Sequence, residues 1–132
     1  MRKIMETPRL KRRDGVAVNQ ALIKAFQNDF HGQIVQPGDA SYDTARRVWN
    51  ASIDKHPGLI ARCLGVADIV HAVQFARAND LLAAVRSGGH NVAGRALCDD
   101  GIVIDLSAMK GIFVDPQLRT VRRRLPGEFP RR

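Results

Sequence analysis

Six consecutive residues, Arg86, Ser87, Gly88, Gly89, His90 and Asn91, combine groups that could do chemistry together. An imidazole can act as nucleophile, base or ligand near neutral pH. A guanidinium matches the geometry of phosphate oxygens. Backbone N–H groups around glycines can converge into a concavity that binds anions. Gly88 and Gly89 can adopt the positive φ angles that such a concavity needs. Ser87 and Asn91 add neutral donors and acceptors. Together these residues could cradle a diphosphate. The stretch has neither the GKS/T ending of a Walker A loop nor the GxGxxG spacing of a nicotinamide site. The same residues also suit a plain polar turn after a strand. Spacing alone leaves both readings open.

The loop needs elements to hold it. Residues 81–85 (LLAAV) are apolar and short, and read as a buried strand leading into it. Residues 66–79 read as a helix, with Val66, Ile69, Val70, Val73 and Ala76 in one stripe. Asp68 in its first turn and Arg77 in its last suit the helix dipole. An earlier helix is expected over 19–30, capped by Asn19 and stapled by Val18 and Ile23. Leu22, Ala25, Phe26 and Phe30 would form its apolar face, and Gly32 a left-handed C-terminal cap. Pro37-Gly38 and Pro57-Gly58 mark turns. Residues 44–50 read as one or two helical turns. Residues 59–63, 101–107, 111–115 and 118–123 read as strands, with a turn at Asp115-Pro116. A β-α-β run followed by short strands gives an α+β or α/β class.

Composition narrows the rest. A chain of 132 residues allows one ordinary domain, and 45% apolar residues suit a globular protein rather than a disordered one. No apolar run approaches the roughly 18 residues of a membrane span. The N-terminus lacks the apolar stretch of a secretory signal, so a cytoplasmic location is expected. Cys63 and Cys98 form no CxxC pair and read as free thiols. No metal site is expected, because the histidines and cysteines lack paired zinc spacing. The net charge of +8 divides into +5 over residues 1–13, +5 over 119–132 and −2 between them. Basic tails on a slightly acidic body do not make a specific nucleic-acid face. His71 reads as a surface residue and Trp49 as a core residue.

Residues 46–121 resemble the FAD-binding domain of the FAD-linked oxidases, the vanillyl-alcohol oxidase superfamily, in its berberine-bridge-enzyme-like branch. The matching pieces are RRVWNASIDKHPGLIARCLGVADIVHAVQFARAND, LLAAVRSGGHNVAG and GIVIDLSAMKGIFVDP. The resemblance implies an α+β, PCMH-type FAD-binding domain. It would contain a small β-α-β subdomain and the first strands of a second, incomplete one. It implies FAD as cofactor, with Arg86, Ser87, Gly88, Gly89 and Asn91 around its pyrophosphate. By position, His90 would be the covalent anchor to the flavin 8α-methyl carbon. Gly94 would lie where the loop leaves the cofactor, and Asp105 and Leu106 on the strand beside it. The implied activity is hydride transfer from a substrate C–H to flavin N5, with oxygen as acceptor. The catalytic base and the pocket for the small-molecule substrate would belong to a full-length parent.

Two departures qualify the likeness. Some relatives carry a second flavin link through a distant cysteine, and neither Cys63 nor Cys98 matches that place, so no bicovalent flavin is expected. The pattern also fades after Val121 into RRRLPGEFPRR, which reads as a truncated or frame-shifted end. Missing partner strands would leave apolar edges exposed on IVIDL and IFV. The expected organisation is a basic tail over 1–18, a leading helix and connector over 19–45, the partial FAD-binding domain over 46–121, and a disordered tail over 122–132. The competing class is a small non-catalytic binding module that uses basic tails on an acidic partner. Visible flavin absorbance separates the two.

Overall fold

The computed structural model describes residues 9–123. Its frame is a four-stranded sheet of β1 (Gln33–Val35), β2 (Leu59–Arg62), β3 (Ala83–Arg86) and β4 (Ile102–Asp105), in the order β1-β2-β4-β3. β4, Ile-Val-Ile-Asp, is buried throughout. It pairs in parallel with β2 on one side and β3 on the other, while β1 adds antiparallel to β2. Near-continuous apolar sequence is what a strand covered on both faces requires. Alternate residues supply the two cores. Leu59, Ala61, Ile102 and Ile104 face the helices α1 (Gln20–Asp29) and α3 (Val66–Ala78). Ile60, Ala84 and Val103 face the other way, against Tyr42, Leu97 and Cys98. A separate hairpin of β5 (Ile112–Asp115) and β6 (Thr120–Arg123) follows. The β2–α3–β3 unit and this hairpin give the mixed α and β architecture read from the sequence.

Helix α1 forms as its signals dictate. Asn19 Oδ1 accepts the Ala21 N–H at 2.8 Å, and Val18 packs against the core cluster that includes Ile23. Ile23, Phe26 and Phe30 turn inward, and Phe26 stacks on Phe75 of α3 with ring centroids 4.4 Å apart. Leu22 and Ala25, expected on that face, point outward. Gly32 is not a left-handed cap, because the helix ends on an extended Phe30. Glycine is needed there for proximity: a Cβ would fall 1.9 Å from the Arg62 carbonyl oxygen. Gly32→Ala must therefore push β1 away from β2. It is expected to lose about 2 kcal/mol in urea denaturation, the usual cost of overpacking. An unchanged midpoint would contradict this.

Helix α3 presents a different face from the expected one. Asp68, Ala72 and Ala76 face the sheet, flanked by Ile69 and Phe75, while Val66, Val70 and Val73 stand about half exposed. Small alanines let the helix approach closely, and Asp68 ties it down. Its carboxylate accepts the N–H of His31 at 2.9 Å, of Gly32 at 3.0 Å and of Leu64 at 3.0 Å. A periodicity count treats aspartate as polar and favours the valine stripe instead.

Four further expectations need correction. Residues 9–18 are not a free tail. Leu10 is buried, Lys11 and Arg13 donate backbone bonds to Asp100 and Asp80, and their side chains pair with the same two aspartates. The LLAAV strand is a sheet edge with Ala84 buried and Val85 exposed. Residues 102–105 of IVIDL form the central strand rather than an exposed edge, whereas Ile112, Val114 and Val121 of the hairpin are exposed. Arg122 and Arg123 pair within β6 instead of beginning a tail. Residues 1–8 and 124–132 of the expected tails lie outside the described residues.

Candidate cofactor site

The parallel strands end side by side: Arg62 of β2 and Arg86 of β3 both pair in register with Asp105 of β4. In open sheets of this kind, ligands bind beyond the carboxyl ends of the strands. A cleft of about 140 Å³ opens there, lined by Arg62, Arg86, Asp105, Ser107 and the 41–45 segment.

Arg86 ends β3. Its Nη1 donates to the Ala45 carbonyl, but its Nε is buried and has no partner among the described residues. A buried guanidinium donor left unpaired is costly and calls for an explanation. An oxygen-rich ligand would satisfy it. Gly89 has φ +72°, and a Cβ there would approach Arg86 Nε to 3.4 Å. Glycine is required there by its left-handed backbone, since the contact a Cβ would make is an ordinary one. At Gly88 a Cβ would sit 2.7 Å from Cδ2 of the His90 ring. Its absence lets the imidazole fold back over the loop, where His90 is exposed. These features fit a diphosphate bound against the main chain.

The loop is held by a segment that sequence reading left as one or two helical turns. Only Tyr42–Ala45 (α2) is helical there. Beyond it the chain runs along the loop and braces it at successive points. Trp49 N–H donates to the Gly89 carbonyl at 3.1 Å, Asn50 Nδ2 to the Val92 carbonyl at 3.1 Å, and Lys55 Nζ to the Gly94 carbonyl at 3.0 Å. The brace is itself anchored. Tyr42 donates to the Pro57 carbonyl at 2.6 Å, and burial pushes its phenol up to about 12. Arg46 pairs with Asp54 and with Asp43. Its hydrogen bond holds the Asp54 carboxyl below the usual range. Trp49, expected in the core, is 72% exposed, and its ring centroid lies 6.5 Å from that of His90.

Of the residues singled out by sequence, Arg86, Ser87, Gly88, Gly89 and His90 gather at the end of β3. Asn91 and Gly94 form the next turn, where Asn91 Oδ1 accepts the Arg95 N–H at 3.2 Å and its carbonyl accepts Gly94 N–H at 3.2 Å. The Asn91 side chain is thus engaged locally. Asp105 is buried; its carboxylate lies 3.7 Å from Arg62 Nε and accepts the Ser107 N–H at 2.8 Å. Leu106 N–H donates to the Arg86 carbonyl at 2.8 Å. Asp105 and Leu106 therefore shape the strand ends. Both cysteines are free and buried. Burial pushes the Cys63 thiol up to about 12 and the Cys98 thiol up to about 11, so both stay protonated at neutral pH. Among the described residues, no three histidine, cysteine or acidic side chains are grouped to hold a metal, and no helix is long and apolar enough to cross a membrane.

Residues 57–124, about half of the chain, match the FAD binding domain family. The chain belongs to this family. As an FAD-binding domain it is 42% identical over 84 residues to (R)-6-hydroxynicotine oxidase of Paenarthrobacter nicotinovorans, covering 64% of this chain and 18% of that protein. It is 37% identical over 84 residues to the FAD-linked oxidoreductase YgaK of Bacillus subtilis, covering 64% of this chain and 19% of that one. The crystal structure of 6-hydroxy-D-nicotine oxidase from Arthrobacter nicotinovorans superposes with a TM-score of 0.63 at 41% identity, over 65% of this chain and 19% of that one. BBE-like 1 of Physcomitrella patens shares the fold, with a TM-score of 0.68 at 24% identity over 76% of this chain and 22% of its own. The FAD-binding domain thus spans about a fifth of the length of the curated relatives it matches. FAD is its cofactor class, and FAD-linked oxidoreductases are its relatives.

Proposed function

We propose that this domain binds FAD across the carboxyl ends of β2, β4 and β3 and anchors it covalently, as part of an oxidoreductase. Arg86 and the main-chain N–H groups of Ser87, Gly88 and Gly89 hold the diphosphate. His90 bonds through a ring nitrogen to the flavin 8α carbon. The observation that carries this reading is the buried Nε of Arg86, without a partner among the described residues, beside the left-handed Gly89.

When bound, the flavin supplies a two-electron acceptor for hydride from a substrate C–H, with oxygen as the subsequent oxidant. The residues of this chain bind and orient it. Bound there, the flavin would offer its 8α carbon to a ring nitrogen of His90, while Arg86 and the loop would hold the diphosphate in place. His90 is exposed, so its nitrogen can reach a ligand from solvent. The small-molecule substrate would be met by parts of a longer protein.

The polyanion-binding alternative has less support. The basic residues Lys11 and Arg13 already face Asp100 and Asp80.

The test is an FAD titration of Arg86→Gln, made in a His90→Ala background where attachment cannot mask the equilibrium. Losing charge-assisted bonds of about 1.5–3 kcal/mol should weaken FAD binding roughly 10- to 100-fold. An affinity equal to that of the Arg86 parent would refute the assignment.

A further inference from the structure

We propose that Trp49 is an aromatic wall of the flavin site, packing its indole against the isoalloxazine ring beside His90. This rests on the FAD reading above and adds a residue to it.

Three observations point to the role. First, Trp49 is the only tryptophan in the chain and is 72% exposed. A large aromatic ring is usually the last group a fold leaves in water, because its burial carries so much apolar area. Secondly, the exposure does not come from a slack segment. The Trp49 N–H is fixed to the Gly89 carbonyl at 3.1 Å, Val48 before it packs against the buried core, and Asn50 after it is tied to the Val92 carbonyl at 3.1 Å. The backbone is pinned on both sides, so the indole is held out into the space in front of the loop. Thirdly, that space is shared with His90. The two rings are 6.5 Å apart at an angle of 52°. A planar aromatic ring joined to His90 would lie within reach of the indole and cover it.

The isoalloxazine ring is the occupant because it is the part of FAD that His90 bonds. The adenine lies at the far side of the diphosphate from the flavin. Stacking of a heterocycle on an aromatic side chain is sequence-tolerant and worth about one order of magnitude or more in affinity.

The experiment uses the full chain in the same His90→Ala background. Trp49→Ala and Trp49→Phe are titrated with riboflavin, which has the isoalloxazine ring but no phosphate or adenine, with ADP, which has adenine and diphosphate only, and with FAD. Trp49→Ala should weaken riboflavin and FAD about tenfold and leave ADP unchanged, with Trp49→Phe within about threefold of the parent. Flavin emission, quenched on binding by contact with the indole, should rise in Trp49→Ala. The thermal midpoint without ligand should not move, since the ring is exposed. Equal riboflavin and FAD affinities in Trp49→Ala and its parent overturn the proposal while leaving FAD binding intact. So does a loss confined to ADP. A parent chain that binds no FAD overturns the underlying reading, and this inference with it.

Discussion

Replacing Asp68 by alanine is expected to destabilise the domain by about 3 kcal/mol, a large part of the roughly 5–15 kcal/mol that holds a domain folded. The carboxylate is 1% exposed and is the junction of three chain segments. It accepts backbone N–H groups from His31, Gly32 and Leu64, and the His31 ring lies 3.2 Å away. Alanine leaves these donors without their acceptor, and such losses cost about 1–3 kcal/mol per buried group. Burial opposes the charge of Asp68, but the bonds from Leu64, His31 and Gly32 outweigh it and hold the carboxyl below its ordinary range. A carboxyl whose folded value lies below its unfolded value of about 4 stabilises the fold above that pH. The contribution disappears as pH falls through the folded value. Urea denaturation should therefore show the full difference between wild type and Asp68→Ala at pH 7 and a smaller one at about pH 3. Asp68→Asn, which keeps one acceptor oxygen, should fall between them. Equal midpoints at pH 7 would contradict the role given to Asp68.

Replacing His90 by alanine should remove all flavin that survives denaturation. On a denaturing gel, the wild-type chain incubated with FAD and oxygen should carry a fluorescent band, and the His90→Ala chain none. The fold should be untouched, because the imidazole is exposed and its nearest ring neighbour is Trp49. Reversible FAD binding should persist, since the proposed diphosphate contacts are those of Arg86 and the loop N–H groups. A band of equal intensity in both proteins would move the link elsewhere. Cys63 and Cys98 are poor alternatives, as both thiols are buried and held protonated.

The sequence revealed the parts whose chemistry is local. Asn19 formed the cap read from its neighbours and Ile-Val-Ile formed a strand as read, while of the glycine pair before His90 only Gly89 takes the positive φ expected of both. It hid the parts whose reasons are distant in sequence. The inward face of α3 depends on backbone donors at residues 31, 32 and 64 that only the fold brings to Asp68. Gly32 is glycine because of the Arg62 carbonyl rather than because of its own helix. The brace from Ala45 to Lys55 has no periodic pattern, and its purpose appears only when it lies along the 86–94 loop. Trp49 belongs to the same class. An isolated tryptophan reads as core, and only the fold shows its ring exposed beside His90.

A tryptic peptide map of the chain after incubation with FAD tests the central assignment most directly. Cleavage after Arg86 and Arg95 releases Ser87–Arg95, which contains His90 as its only histidine. The following peptide, Ala96–Lys110, contains Cys98. The expected result is one flavin mass on Ser87–Arg95, with fragment ions placing it on His90. Flavin on Ala96–Lys110 or on any other peptide, or a chain that binds FAD and leaves every peptide unmodified, would contradict it.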